Sequence, residues 1–216
     1  MVLHMHRGTP YIYEGEELGM TNAHFTKLEQ YRDLEALNGY RQRVEEAKCQ
    51  SSESMMAALA LIGRDNARTP MQWDASKYAG FTPADAAAEP WISVNPNHVE
   101  INAAEEFDDP DSVYTFYKKL IAMRHNSATI STGEWHLLAA DSDQVYAFTR
   151  TNGDDTILVV VNLTDRSAEL PADVAELLSD GVSEPQVLLS TYDAMSSVKS
   201  IARGELARWE GVVIQL

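Results

Sequence analysis

The first half of the chain carries apolar residues at the spacing of helices. Between residues 27 and 62 they recur every three or four positions, which predicts two helices with one apolar face each. The faces consist of Leu28, Tyr31, Leu34 and Leu37 in the first helix, and of Met55, Met56, Leu59 and Ile62 in the second. Residues 51–52 (SS) are typical of a helix start and Gly63 of a helix end, so the second helix is predicted between them.

Beyond residue 127 the period of the apolar positions changes from helical spacing to alternation, which predicts β-strands. The dipeptide at 152–153 (NG) indicates a hairpin, and the continuous apolar run 157–161 (ILVVV) predicts a buried strand. Further short runs occur at 187–189 and 212–214. We therefore predict an α+β chain with a boundary between residues 127 and 128, followed by an antiparallel β-sandwich over 128–216. A helix capped by residues 111–112 (DS) is predicted just before this boundary.

Two segments before residue 128 show neither the helical spacing nor the strand alternation of apolar residues. Residues 11–13 (YIY) are rich in β-formers and are predicted to be a buried strand, which carries the acidic loop with Glu14, Glu16 and Glu17 at its end. Residues 64–102 are irregular and contain many prolines and aromatic residues. Because long irregular loops in compact domains are either functional or disordered, the aromatic residues favour a functional loop.

Composition excludes several classes of partner. The 216 residues include 33 Asp and Glu against 17 Lys and Arg, which gives a formal net charge of -16. This charge argues against binding to nucleic acid and to anionic membranes. No run approaches the roughly 18 apolar residues of a membrane span. With one cysteine, Cys49, and no recognisable signal peptide, we expect a cytoplasmic protein. Residues 1–7 are interpreted as the end of a helix whose start lies outside the sequence.

The richest mixture of polar chemistry lies in residues 64–74 (RDNARTPMQWD). Arginine offers five N–H donors in a fixed fork, carboxylates accept from hydroxyl groups, and tryptophan supplies a flat apolar face. A loop with Arg64, Arg68 and Trp73 therefore suits a polyhydroxylated ligand such as a sugar. The alternative is that Arg64–Asp65 and Arg68–Asp74 are ion pairs that hold a long loop in place, and spacing alone slightly favours the ion pairs.

Other candidate chemistry is weaker. Glycoside hydrolysis needs two carboxyl groups, one of them with a raised pKa, and Glu14, Glu16 and Glu17 follow a predicted strand as in a barrel enzyme. We favour the simpler interpretation of a solvated acidic loop. The six histidines show no metal-ligand spacing, and neither a phosphate loop nor a dinucleotide fingerprint occurs. We therefore predict no metal and no cofactor.

Several motifs together resemble one family. Residues 8–22 (GTPYIYEGEELGMTN) resemble the last barrel strand of glycoside hydrolase family 13, and are most similar to the branch of oligo-1,6-glucosidase, dextran glucosidase and α-glucosidase. Residues 31–38 (YRDLEALN) resemble the next helix of that branch, and residues 64–74 resemble its most specific signature. The resemblance continues, in order, through residues 79–82 (AGFT), 90–97 (PWISVNPN) and 117–121 (YKKLI), and so covers essentially the whole chain.

The resemblance implies a (β/α)₈ barrel followed by a C-terminal β-sandwich. Residues 1–127 would supply the last strand, a long helical loop and the last helix of that barrel, since a whole barrel takes roughly 250 residues. The family's aspartate nucleophile, glutamate acid/base and Asn-His-Asp motif all precede the matched part, and no His-Asp dipeptide occurs here. No catalytic residue is therefore carried over. What the resemblance implies is binding: Arg64 would hold the non-reducing glucose, Glu35 would contact the next sugar, and Arg68 would support the pocket.

Two functional hypotheses follow. The first is the C-terminal portion of a retaining α-glucosidase for α-1,6-linked glucosides, inactive alone. Its partners would be an α-glucosidic oligosaccharide and either the missing N-terminal portion of the barrel or a second copy of the chain. The alternative is a non-catalytic carbohydrate-binding or structural interaction module that uses the sandwich.

Overall fold

The computed structural model describes residues 1–179 and 186–216. These residues form two compact units, one of Ile12–Lys118 and the other of Met1–Tyr11 with Lys119–Leu216. The helix Val113–Asn126 has residues in both units. The predicted domain boundary between residues 127 and 128 stays a prediction. Within the described part of the chain, no helix has the length and apolar character needed to cross a bilayer.

The unit Ile12–Lys118 consists of short helices joined by irregular segments. Its α-helices are Leu34–Tyr40, Ser52–Ile62, Ala103–Glu106 and the first turns of Val113–Asn126, with a π-helix at Arg41–Glu46 and 3₁₀ turns at Glu16–Leu18, Leu28–Gln30, Arg64–Arg68 and Pro96–Val99. The second predicted helix is confirmed, because the Ser51 hydroxyl accepts from Ser54 N at its start. The first is divided, since Asp33 has an extended backbone and begins a new helix as its N-cap.

Gly63 ends the second helix, as predicted, and glycine is needed there because the position has no room for a side chain. Its φ of -65° and ψ of 135° are open to any residue. A Cβ at this position would lie 2.5 Å from the Leu59 carbonyl oxygen, which is closer than real Cβ atoms approach. The absence of a side chain therefore lets the chain leave the helix directly into the turn that begins with Arg64.

The predicted strand at residues 11–13 is wrong. No strand is formed there, and the side chains of Tyr11, Ile12 and Tyr13 are 82, 39 and 53% exposed. The residue types suit a strand, but a strand is stable only when neighbouring strands satisfy its backbone N–H and C=O groups. No strand of the described residues pairs with this segment.

The second unit contains two antiparallel sheets. Strands β1 (Glu134–Leu138), β2 (Val145–Asn152), β3 (Asp155–Asn162), β4 (Ala168–Glu169), β5 (Gln186–Ser190), β6 (Glu205–Leu206) and β7 (Gly211–Gln215) form a five-stranded sheet in the order β1-β2-β3-β7-β5 and a two-stranded β4-β6 sheet. The unit also contains helices Val2–Met5, Ala128–Thr132, Ala172–Ser179 and Ala194–Ala202. The predicted hairpin is confirmed, because Asn152 pairs with Asp155 around Gly153 at φ 63°.

One face of the five-stranded sheet forms the apolar core of this unit. Alternate residues of β2, β3 and β7 pack with the helices and with the small sheet. The main buried members are Ala147, Leu158, Val160, Val174, Ile201, Leu206, Val212 and Ile214. Burying a side chain such as Leu158 contributes about 1.5–3 kcal/mol, and Phe148, Val159 and Val213 on the opposite face of the sheet are fully buried as well.

Two buried arginines of the same unit bind backbone carbonyl groups of residues 4–8. Arg150 donates from Nη1 to Met5 O at 2.8 Å, and Arg124 donates from Nη1 to the carbonyls of His4 at 2.7 Å and His6 at 2.9 Å and from Nη2 to that of Gly8. Burial, followed by the nearby charge of Arg124, lowers the pKa of Arg150. These hydrogen bonds hold residues 4–8 against β2 and the helix Val113–Asn126.

Candidate functional site

A cavity of about 670 Å³ lies in the unit Ile12–Lys118, and we call it the Arg64 cavity. Its wall includes Glu14, Arg64, Arg68, Phe81 and Trp91. Its volume falls in the range of about 300–1,000 Å³ that is typical of small-molecule sites. The wall combines cationic donors with aromatic faces, so the cavity offers both kinds of contact that a sugar needs.

Arg64 is held at the cavity by two acidic residues of one helix. Its Nε and Nη2 atoms donate to the two carboxylate oxygens of Asp33 at 3.0 and 2.6 Å, which is a bidentate pair. Its Nη2 atom also lies 3.2 Å from Glu35 Oε2. The Arg64 side chain is nevertheless 62% exposed. The guanidinium group is therefore fixed in orientation while much of it remains accessible.

Asp33 is the centre of this arrangement. It caps the helix Leu34–Tyr40, where its side chain accepts from Glu35 N at 3.4 Å. The hydrogen bond from Arg64 is the largest effect that lowers the pKa of Asp33, and partial burial opposes it. The same hydrogen bond raises the pKa of Arg64. Both groups are therefore ionised near neutral pH, and the pair is a charged one.

Asp65 has a structural role next to the pair. Its buried carboxylate accepts from the backbone N–H groups of Arg32 at 2.6 Å and Asp33 at 2.8 Å. Its other oxygen lies 3.4 Å from Arg68 Nη1. The guanidinium carbon of Arg68 lies 5.2 Å from the ring centre of Trp91. Asp65 thus joins the turn Arg64–Arg68 to the segment that carries Asp33.

The structure brings Arg64, Glu35 and Arg68 together, but with different ion pairs from those predicted. Arg64 pairs with Asp33 and Glu35 instead of Asp65, and Arg68 pairs with Asp65, with Asp33 at 3.9 Å. Asp74 does not pair with Arg68 but accepts from Ser76 N at 2.8 Å. Trp73 lies outside the wall of the Arg64 cavity and is 51% exposed.

The acidic loop uses its side chains for its own backbone. Glu16 Oε2 accepts from Tyr13 N at 3.0 Å, and Glu17 Oε2 accepts from Gly15 N at 2.8 Å. Glu14 and Glu16 also line the Arg64 cavity. Among residues 1–179 and 186–216, no three His, Cys, Asp or Glu side chains are grouped so as to hold a metal ion.

Sequence reasoning assigned no role to Asp33, Phe81 or Trp91, although all three bear on the cavity. Of the three, Asp33 is the residue whose structural role the sequence could have predicted, because an Asp immediately before an apolar helix is typical of an N-cap. The pairing of Asp33 with Arg64 spans 31 residues, and no local pattern marks it. For Phe81 and Trp91 the signals were the high aromatic content of residues 64–102 and the place of the two residues in the family motifs at 79–82 and 90–97.

Comparisons with known proteins identify the family. Residues 1–133 match the family described as alpha amylase, catalytic domain, and residues 135–182 match that described as maltogenic amylase, C-terminal domain. The chain belongs to glycoside hydrolase family 13, the α-amylase family. The resemblance found in the sequence is confirmed. So is the fold class, part of a barrel-type catalytic domain followed by an antiparallel β domain.

The individual relatives include enzymes named for the predicted branch and a trehalulose synthase. The chain is 41% identical over 217 residues to oligo-1,6-glucosidase from Bacillus cereus, covering 100% of this chain and 37% of that protein. It is 53% identical over 151 residues to an α-glucosidase from Pediococcus pentosaceus, covering 70% and 26%. The solved structure of trehalulose synthase MutB from Pseudomonas mesoacidophila MX-45 is 39% identical with a TM-score of 0.81, covering 99% and 36%. The matches thus span between 26 and 37% of the length of these relatives.

Proposed function

We propose that this chain supplies part of the sugar-binding surface of a cytoplasmic retaining α-glucosidase that acts on α-1,6-linked glucosides. The observation that carries the proposal is the Arg64 guanidinium group, which Asp33 and Glu35 hold at the wall of the cavity. Relatives named oligo-1,6-glucosidase support the linkage. The whole enzyme would include the parts of the relatives that this chain does not span.

Arg64 has donors left for a ligand. Its Nε and Nη2 atoms bind acidic side chains, whereas its Nη1 atom makes no hydrogen bond to any described residue. Arginine carries two N–H groups on Nη1, and these can donate to neighbouring sugar hydroxyl groups. Because the orientation of the fork is already fixed, binding would order fewer side-chain torsions than it would with a free arginine. These features suit the non-reducing glucose.

Glu35 and Arg68 would act beside this glucose. The Glu35 side chain is 80% exposed and keeps one carboxylate oxygen free of the contact with Arg64, so it can accept from a hydroxyl group of the next sugar. Arg68 contacts Asp65 and the Trp91 ring, so its role would be to support the pocket. The alternative of a binding module in residues 128–216 has less support, because no wall residue of the Arg64 cavity belongs to that part.

Catalysis would require carboxyl groups from outside the chain. Retaining hydrolysis uses a nucleophile and an acid/base about 5–5.5 Å apart. In the acidic loop of this chain, Glu16 and Glu17 accept hydrogen bonds from the loop backbone. We therefore propose that the chain is inactive alone and that it assembles with the complementary N-terminal portion of the barrel or with a second copy.

The binding half of the proposal can be tested with methyl α-D-glucopyranoside and the purified chain. Isothermal titration should detect weak binding that Arg64→Ala abolishes. Arg64→Lys is the matched control, because it keeps the charge but loses the fork, and it should restore binding only in part. Unchanged binding in Arg64→Ala would refute the role of this residue.

The catalytic half is tested with isomaltose and an aryl α-glucoside. The chain should release no more product than the buffer blank. Turnover above the blank that disappears in Glu16→Gln or Glu17→Gln would show that the acidic loop is catalytic and would overturn the proposal of an inactive chain.

A further inference from the structure

Trp91 is a half-exposed aromatic residue on the same cavity wall as Arg64. It is 55% exposed, although its neighbour Ile92 is completely buried. An exposed tryptophan leaves about 100 Å² or more of apolar surface in water, since a whole side chain of this type buries 150–250 Å². Residues that keep such a face exposed in a cavity commonly use it for a ligand.

Trp91 is contacted at its backbone and at its ring. Its backbone carbonyl accepts from Arg32 Nε at 2.8 Å. The guanidinium carbon of Arg68 lies 5.2 Å from the ring centre, which is within the distance of a cation–π contact. Since Arg68 occupies one face of the indole ring, the accessible area belongs to the other face and the edges.

One acidic residue, Asp33, lies within ion-pair distance of both Arg64 and Arg68, the cation stacked on Trp91. Arg68 Nη1 lies 3.4 Å from Asp65 and 3.9 Å from Asp33, and Asp33 binds Arg64 through two hydrogen bonds. The Trp91 ring, through Arg68, and the Arg64 guanidinium group are therefore connected by ion pairs to Asp33. Both groups line the wall of the Arg64 cavity, which is where a ligand with several sugar rings would meet them.

We propose that Trp91, stacked on Arg68, is a platform for a second or third pyranose ring of the substrate and so sets a preference for longer α-glucosides. This inference rests on the proposed function, because it takes Arg64 as the site of the terminal glucose. The apolar C–H face of a pyranose ring stacks on an aromatic face, and such contacts contribute beyond area burial alone. The proposal therefore predicts that a ligand with several rings gains more from Trp91 than a monosaccharide does.

The test compares one-ring and three-ring ligands on the purified chain. Methyl α-D-glucopyranoside and isomaltotriose are titrated while the indole N–H resonances of the ¹⁵N-labelled chain are followed by NMR. Trp91→Ala should weaken isomaltotriose binding about three- to tenfold and change methyl α-glucoside binding less than about twofold. Trp91→Phe, which keeps a flat ring, should restore most of the loss.

Trp73→Ala is the matched control, because Trp73 belongs to the same unit, is 51% exposed and lies outside the cavity wall. It should leave both affinities unchanged. Equal losses for Trp91→Ala and Trp73→Ala, or an equal loss for both ligands in Trp91→Ala, would overturn the platform.

Arg64→Ala separates this inference from the proposed function. If Arg64→Ala leaves methyl α-glucoside binding unchanged while Trp91→Ala still weakens isomaltotriose, the proposed function fails and the platform stands. If Arg64→Ala abolishes binding of both ligands and Trp91→Ala affects neither, only the platform fails. No binding of either sugar by the unmodified chain refutes both.

Discussion

The buried carboxylate of Asp33 has three structural roles, and substitutions at this position can separate their contributions. It caps the helix Leu34–Tyr40, binds Arg64 through both oxygens and lies near Arg68. Asparagine is as good an N-cap as aspartate, but it is neutral and offers one acceptor oxygen instead of two. Asp33→Asn should therefore keep the helix start and release the Arg64 fork, whereas Asp33→Ala should lose both.

At pH 7 the two variants should differ in their loss of stability and share a loss of sugar affinity. Loss of the cap in Asp33→Ala should lower the free energy of unfolding by about 1 kcal/mol, and in a domain of about 100 residues this lowers Tm by about 4 °C. Asp33→Asn should lower it by less than half as much. In both variants Arg64 must be ordered again on binding, which should weaken methyl α-glucoside binding by about two- to tenfold.

The effect of Asp33 on stability should depend on pH. Arg64 lowers the pKa of Asp33 in the folded state, so the unfolded chain binds the proton first as pH falls. The stabilisation is complete above the unfolded carboxyl pKa of about 3.9 and is lost as pH falls through the lowered folded value. The difference in stability between the unmodified chain and Asp33→Asn should therefore shrink below about pH 4.

Urea unfolding at pH 7, 5 and 3, followed by circular dichroism, and sugar titration at pH 7 measure these quantities. If Asp33→Asn loses as much stability as Asp33→Ala, the cap is not the main contribution. A difference that stays constant down to pH 3 would show that the charge of Asp33 does not stabilise the fold.

Two further predictions concern other parts of the chain. Burial, followed by the charge of Arg150, lowers the pKa of His6, whose ring stacks on Trp135 and is tilted against Phe148. Because the unfolded chain then takes up the proton first, the free energy of unfolding should fall as pH drops below about 6.5. His6→Phe should remove that slope between pH 7 and 5, and an identical slope in the variant would assign it to another group. Gly63→Ala places a Cβ 2.5 Å from Leu59 O, and the resulting strain of about 1–3 kcal/mol should exceed the gain of about 0.4–1 kcal/mol from a stiffer unfolded chain. Thermal unfolding should show a lower Tm for Gly63→Ala but a higher one for Gly39→Ala, whose Cβ would meet only the flexible end of Met55 at 3.3 Å; equal shifts would contradict the steric argument.

Local signals account for the parts of the fold that the sequence could predict. The helix after Ser112 begins where its hydroxyl accepts from Thr115 N, three residues away. The hairpin around Gly153 follows from a residue that adopts positive φ without a steric penalty. In both cases the deciding contact lies within a few positions, so the residue types alone were informative.

The contacts that the sequence did not predict join residues far apart in the chain. The charge pattern suggested that Arg64 pairs with its neighbour Asp65, but the carboxylate of Asp65 is directed to the backbone of Arg32 and Asp33. The true partner of Arg64 lies 31 positions earlier in the chain. The predicted strand at residues 11–13 is wrong for a different reason. The side chains favour a β-strand, but no neighbouring strand of the described residues pairs with the segment.

The hydrogen bonds from Arg124 and Arg150 to residues 4–8 have a consequence for synthesis on the ribosome. The Arg150 side chain binds a carbonyl group 145 positions earlier. At about 5–20 residues per second, Arg150 is added about 7–30 s after Met5. During that interval residues 4–8 have no part of β2 to bind, and most of the interval passes while Ile12–Lys118 is being made. Residues 4–8 are thus made long before the arginine of β2 that binds them, and until then they are open to chaperones and proteases in the nascent chain.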